Sequence, residues 1–122
     1  MDLKYFKISE FDSPDEIGSG NKMDEMFLRK LDEAREKAGI PFRINSGYRT
    51  AEHNLKVGGR HGSAHKLGLA ADIGYNGSRE RYVIMNALMS VGINRIGLGE
   101  TFIHADMDAK RDGDVIWTYK YK

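Results

Sequence analysis

The spacing of the apolar residues changes along the chain, and that change limits the architectures open to it. Over residues 21–38, Met23, Met26, Phe27, Leu31, Ala34 and Ala38 recur at helical spacing, which puts them on one face of a helix. Asn21 is the expected N-cap of this helix and Gly39 its stop. Further on, Leu69, Ala71 and Ile73 alternate with Ala70, Asp72 and Gly74, the period of a strand. Helical spacing first and alternation towards the end predict the α+β class. With 122 residues there is room for one core, so residues 1–122 are expected to form a single domain.

The other elements follow from the same patterns. Phe42 and Ile44 alternate with Arg43 and Asn45, a short strand ended by Ser46-Gly47; a brief helix is expected at about 50–57, then a glycine-rich loop at Val57-Gly58-Gly59-Arg60. A strand over 68–73 turns Asp72 away from its apolar neighbours, so that face is where a site belongs. Ser78 is expected to cap a third helix running to Ser90, burying Tyr82, Val83, Leu88 and Met85 or Met89, with Gly92 as its stop. The remainder reads as a meander: a strand near 94–98, a turn at Gly99, a strand over 102–107, a turn at Asp112-Gly113 and a last strand over 115–119. The expected whole is an antiparallel sheet with helices packed on it.

Charge excludes some functions. Nineteen Lys and Arg stand against 18 Asp and Glu, for a net charge of +1, too balanced for a general nucleic-acid binder. No long uncharged apolar run is present for membrane insertion. Asp2, Lys4 and Lys7 interrupt the apolar residues at the N-terminus, so a secretory signal is not expected and the chain is expected to be cytoplasmic as synthesised. There is no cysteine, which removes disulfides, thiolate metal sites and cysteine nucleophiles together. Any metal must be held by His, Asp or Glu.

The four histidines are His53, His61, His65 and His104. His65 ends a Gly/Ser loop, Asp72 follows seven residues later on a strand, and His104 sits in the middle of the strand Phe102-Ile103-His104-Ala105-Asp106. A catalytic zinc site needs three N or O ligands and one open position, and His65, Asp72 and His104 supply that count. A sulfur-free His2Asp set suits Zn2+, with Mn2+, Fe2+ and Co2+ also compatible by ligand type.

The run Ser63-Ala64-His65-Lys66-Leu67-Gly68-Leu69-Ala70-Ala71-Asp72 matches every fixed position of SxHxxGxAxD, and so resembles the zinc D-alanyl-D-alanine carboxypeptidase family of peptidoglycan peptidases. Ser46-Gly47-Tyr48-Arg49-Thr50 is similar to the family's SGYRT element. Ile93 to Gly97 followed by Phe102 to Asp106 resembles its C-terminal strand with the last ligand. The likeness runs over residues 15–107 in family order. It implies a compact α+β fold with one Zn2+, shared by D,D-carboxypeptidases, D,D-dipeptidases, the L-alanyl-D-glutamate endopeptidases that serve as phage endolysins, and the hedgehog signalling domain. Carried over, it makes His65, Asp72 and His104 the metal ligands and Arg49 the group that binds a substrate carboxylate or the transition-state oxygen. Ser63 becomes a polar, substrate-binding neighbour. The implied partners are peptidoglycan stem peptides, and the implied state is a monomer.

In such a site the metal activates water and polarises the scissile carbonyl, and a protein base passes the proton to the leaving amine. Family members place Glu or Asp three residues before the last histidine, or His two before it. Here those positions hold Thr101 and Phe102. Candidates for the base are Asp106, two residues beyond His104 on the same strand face and about 6.6 Å along it; Glu100, in the preceding turn; and His61. Asp106 has a second possible role, orienting a ligand histidine. The displaced base leaves a second functional reading, a catalytically silent zinc module that binds cell-wall peptide or a protein partner.

Overall fold

The computed structural model describes residues 2–119. In chain order its regular elements are α1 (Glu25–Ala38), β1 (Arg43–Ser46), α2 (Ala51–Lys56), β2 (Ala70–Gly74), α3 (Gly77–Ser90), β3 (Arg95–Leu98), β4 (Phe102–Asp106) and β5 (Val115–Thr118). Short 3-10 turns lie at Ile8–Phe11, Ser19–Lys22 and Ala64–Leu67. The class is α+β, as the spacing predicts.

Helix α1 starts later than expected. Its N-cap is Asp24, whose carboxylate accepts the Phe27 amide at 3.0 Å; Asn21 instead belongs to the preceding 3-10 turn. An aspartate at this position satisfies an otherwise unpaired amide and places negative charge at the positive end of the helix. Phe27, Leu28, Leu31 and Ala34 form its buried face, and Met26 is exposed.

Helix α3 departs from expectation in both its start and its face. Asn76, not Ser78, occupies the N-cap, and the Glu80 carboxylate accepts the Asn76 amide at 2.9 Å. The helix buries Ile84, Ala87 and Leu88, with Val91 just beyond it, whereas Tyr82 and Met89 are exposed. Two apolar stripes share this helix. Tyr82, Met85 and Met89 run at i, i+3, i+7, and Ile84, Ala87, Leu88 and Val91 at i, i+3, i+4, i+7; the second has the four-residue width that covers a core. It packs against α1.

The strands form one five-stranded sheet in the order β1-β2-β4-β3-β5. The first four pair antiparallel, but β5 joins β3 in parallel, so the expected meander gives way to a mixed sheet. The reason lies in the order: β2 and β3 occupy both edges of β4, which leaves no edge for a hairpin from β4 to β5. The chain passes instead to the outer edge of β3. There the Val115 amide donates to the Asn94 carbonyl at 3.0 Å and Asn94 Nδ2 to Asp114 Oδ1 at 3.1 Å, tying the start of β5 beside the start of β3.

The sheet has two unlike faces. Ala71, Ile73, Ile96, Ile103 and Ala105 are buried with Phe27, Leu28, Leu31, Ile84 and Leu88 in one apolar cluster. Each fully buried Ile, Leu or Phe side chain there contributes about 1.5–3 kcal/mol. The alternate residues, Asp72 and His104 among them, point to the opposite face.

Candidate metal centre

One row of paired residues crosses the open face. Ser46 is opposite Asp72, Asp72 opposite His104, His104 opposite Gly97, and Gly97 opposite Trp117. Strand register therefore brings Asp72 and His104 together despite a separation of 32 positions along the chain.

His65 arrives from the 3-10 turn Ala64–Leu67. Ser63 caps that turn, its hydroxyl accepting the His65 amide at 3.2 Å. Gly68 ends it at φ +71°, where a Cβ would run into the Lys22 carbonyl. The serine and glycine of the SxHxxGxAxD run are thus what a tight turn between two fixed neighbours requires.

The two imidazoles are aimed by their outer nitrogens. His65 Nδ1 donates to the Gly47 carbonyl at 2.8 Å, which leaves Nε2 facing Asp72 Oδ1 at 3.3 Å. His104 Nε2 lies 2.7 Å from Asp106 Oδ2, leaving Nδ1 facing the same Asp72 Oδ1 at 2.9 Å. One donor atom each from His65, Asp72 and His104 lies within 4.8 Å of the others. Two imidazole nitrogens and a carboxylate oxygen, converging and held from behind by hydrogen bonds, fit a zinc ion by donor type and by tautomer.

The charges follow. Burial alone would raise the Asp72 carboxyl, but hydrogen bonds from His104 and His65 outweigh it and hold the group well below the usual carboxylate range. For His104, burial works against the cation, while Asp106 and Asp72 on its two sides win and raise its pKa. Asp106 follows Asp72: burial raises it, and His104 and the Asp108 amide pull it lower.

Arg49 closes one side. Its Nε donates to Ser46 Oγ at 3.1 Å, Nη1 to Asn54 Oδ1 at 3.2 Å and Nη2 to Asp72 Oδ2 at 3.3 Å. A guanidinium has five N–H donors, so two remain for a ligand. Asn54, 3 % exposed, also donates from Nδ2 to the Arg60 carbonyl at 2.8 Å, fixing the glycine-rich loop against Arg49. Opposite, Arg95 Nε donates to Asp106 Oδ1 at 2.7 Å, and the guanidinium lies 5.1 Å above the Trp117 ring, whose centroid is 5.5 Å from that of His104.

These groups line a cavity of about 710 Å³ that takes in Arg49, Ser63, His65, Asp72, His104 and Asp106. Glu100 and His61 are exposed and do not line it. Asp106 does, but it accepts from His104, Arg95 and the Asp108 amide. Ser46, Gly47, Asn54, Arg95 and Trp117 were not expected at the site. Only a register across four strands reveals Arg95 and Trp117, whereas a polar Asn54 inside the short helix beside the glycine loop is a signal the sequence does carry.

The fold and this cluster define an α+β domain in which His65, Asp72 and His104 could hold a metal ion, with Arg49 beside them. The family model described as Peptidase M15 matches residues 4–106, most of the chain, and the protein belongs to that family, whose members are zinc metallopeptidases acting on peptidoglycan. No curated protein matches the chain. No helix among the described residues is long and apolar enough to cross a membrane.

Proposed function

We propose that the protein is a zinc peptidase that hydrolyses a peptide bond of the peptidoglycan stem, as a D,D-carboxypeptidase or an endopeptidase of the endolysin type. The observation that carries this reading is the convergence of His65 Nε2, His104 Nδ1 and Asp72 Oδ1 in a cavity that also holds Arg49. His65, Asp72 and His104 would hold the zinc. When bound, zinc supplies a Lewis acid that polarises the scissile carbonyl and makes water nucleophilic near neutral pH.

The chain's own residues do the rest. Water adds to the carbonyl carbon, the C–N bond breaks, and the water's protons are shared between the new carboxyl and the departing amine. Arg49 directs its two free N–H groups at the substrate's carboxylate or at the carbonyl oxygen as charge builds there. Arg60 and Arg111 line the same cavity, which suits the free carboxylates of stem peptides. Ser63 sets the turn that presents His65. Asp106 holds His104 in the tautomer that leaves Nδ1 free, and this fits its bonding better than water activation does. A base works best with a pKa near the working pH, and Asp106 is shifted the other way.

One observation favours the alternative of a silent zinc module. Among the described residues, the cavity offers no carboxylate outside the Asp72 ligand position and the bonded Asp106. Incubation of zinc-loaded protein with defined muropeptides, read by mass spectrometry, decides between the two and names the bond. Products that vanish on chelation and return with zinc are expected; intact muropeptides at every zinc level would leave the binding module.

A further inference from the structure

The family match ends at Asp106, so β5 and the residue that follows it lie beyond the matched stretch. Two aromatic residues there reach the metal face. Trp117 is paired with Gly97, and the Tyr119 amide donates to the Leu98 carbonyl at 3.1 Å, continuing the parallel pairing. Tyr119 lines the same cavity as His65, Asp72, His104 and Arg49.

Gly97 shows which way the rings lean. A Cβ built on it would lie 2.6 Å from Trp117 Nε1 and 2.8 Å from Tyr119 Cε2. Gly97 stands directly beside His104 in the row across the sheet. The tyrosine ring therefore folds back over the space above Gly97, towards the metal row. It is held there from two sides, by Phe102 with centroids 5.2 Å apart and by Trp117 at 6.4 Å. A donor so confined loses little freedom when it binds.

We infer that the Tyr119 hydroxyl donates a hydrogen bond to the carbonyl oxygen of the bound peptide as its carbon becomes tetrahedral, which makes Tyr119 a further catalytic residue. This rests on the peptidase reading above. The phenol is in the right state for the task. Burial raises its pKa, which keeps the proton on the hydroxyl at neutral pH. A donor held beside developing charge stabilises such a state. Arg49 reaches the metal row from the β1–α2 side and Tyr119 from β5, so two donors flank the same oxygen.

The test compares Tyr119→Phe with wild type, both zinc-loaded. The expected result is a kcat lower by about 10²-fold with KM, zinc affinity and Tm unchanged. The affinity for a phosphinate isostere of alanyl-alanine, whose tetrahedral P–O mimics the reacting centre, should fall by a similar factor. The phosphinate titration does not depend on turnover. Equal phosphinate affinity in the two proteins overturns the Tyr119 assignment, whatever the activity. A wild type that cleaves no stem peptide, yet loses phosphinate affinity in Tyr119→Phe, overturns the peptidase reading and leaves the position of the hydroxyl standing.

Discussion

His104 Nε2 and Asp106 Oδ2 are 2.7 Å apart, on the opposite edge of the ring from the nitrogen that faces Asp72. This contact decides what Asp106 can be. If it fixes the tautomer and direction of His104, Asp106→Asn weakens zinc binding by about 10–100-fold and turnover recovers at saturating zinc. If it is the base, turnover stays lost however much zinc is added. We expect the first result, measured by competitive zinc titration alongside kcat. Glu100→Gln, changed at an exposed position outside the cavity, should leave both quantities at wild-type values.

The metal set gives the second prediction. Wild type should hold one zinc per chain, and His65→Ala, Asp72→Ala and His104→Ala should each lose stoichiometric zinc, because each removes one of three converging donors. Metal analysis after dialysis measures this. Retention of zinc at unchanged affinity in all three variants would place the metal elsewhere.

Arg49→Ala removes the contacts to Ser46, Asn54 and Asp72 together. Under saturating zinc its kcat/KM should fall by about 10²-fold or more, the loss expected for one charge-stabilising donor. Arg49→Lys should recover only part of this, since an ammonium cannot reach three partners in fixed directions and still present two N–H groups. Circular dichroism should show both variants folded. Wild-type kcat/KM in Arg49→Ala would remove the guanidinium from the reaction.

Removal of the metal should reverse the pH dependence of stability. In chelated protein, His104 titrates above 6.5, so the stabilisation it brings is complete below 6.5 and is lost as pH rises through its folded-state pKa. Asp72 and Asp106 titrate below 3.8, so theirs is present above 3.8 and is lost as pH falls through their folded-state values. Chelated protein should therefore be most stable between these limits and lose Tm above neutrality. Zinc needs neutral imidazoles, so loaded protein should gain Tm over the same rise. Scanning calorimetry with and without chelator measures both slopes; parallel slopes would sink the prediction.

The sequence carried the parts of this site that are local and lacked those that are set by pairing. Alternation turned Asp72 away from its apolar neighbours and set Asp106 on the face of His104, and the Ser63–Gly68 turn is written in the serine that caps it and the glycine that closes it. Arg95 and Trp117 could not be found the same way. Arg95 meets Asp106 through the β3–β4 register. Trp117 reaches the row because β5 enters beside β3 rather than β4, a choice made by which strand edges remain free, and edge occupancy has no local signature. The same holds for α3, where two stripes were available and only the position of α1 selects between them. Asp106 was correctly read as a neighbour of His104 on its own strand, but which ring nitrogen it meets is a matter of side-chain direction.

Gly97 offers the last prediction, because it has no side chain in a row where every neighbour contributes to the site. Gly97→Ala would set a methyl group 2.6 Å from Trp117 Nε1 and 2.8 Å from Tyr119 Cε2, closer than atoms can rest. The strand backbone is held on both sides by β4 and β5, so the rings must move instead. Overpacking of this kind costs about 1–3 kcal/mol. The displacement should show as a red-shifted emission from Trp117, the only tryptophan, as the indole leaves His104 and Arg95 for water. His65, Asp72 and Arg49 lie on other strands and turns, so zinc should still bind while kcat falls. A Gly97→Ala protein with wild-type emission, stability and kcat would mean that the aromatic wall of β5 does not depend on the space above Gly97.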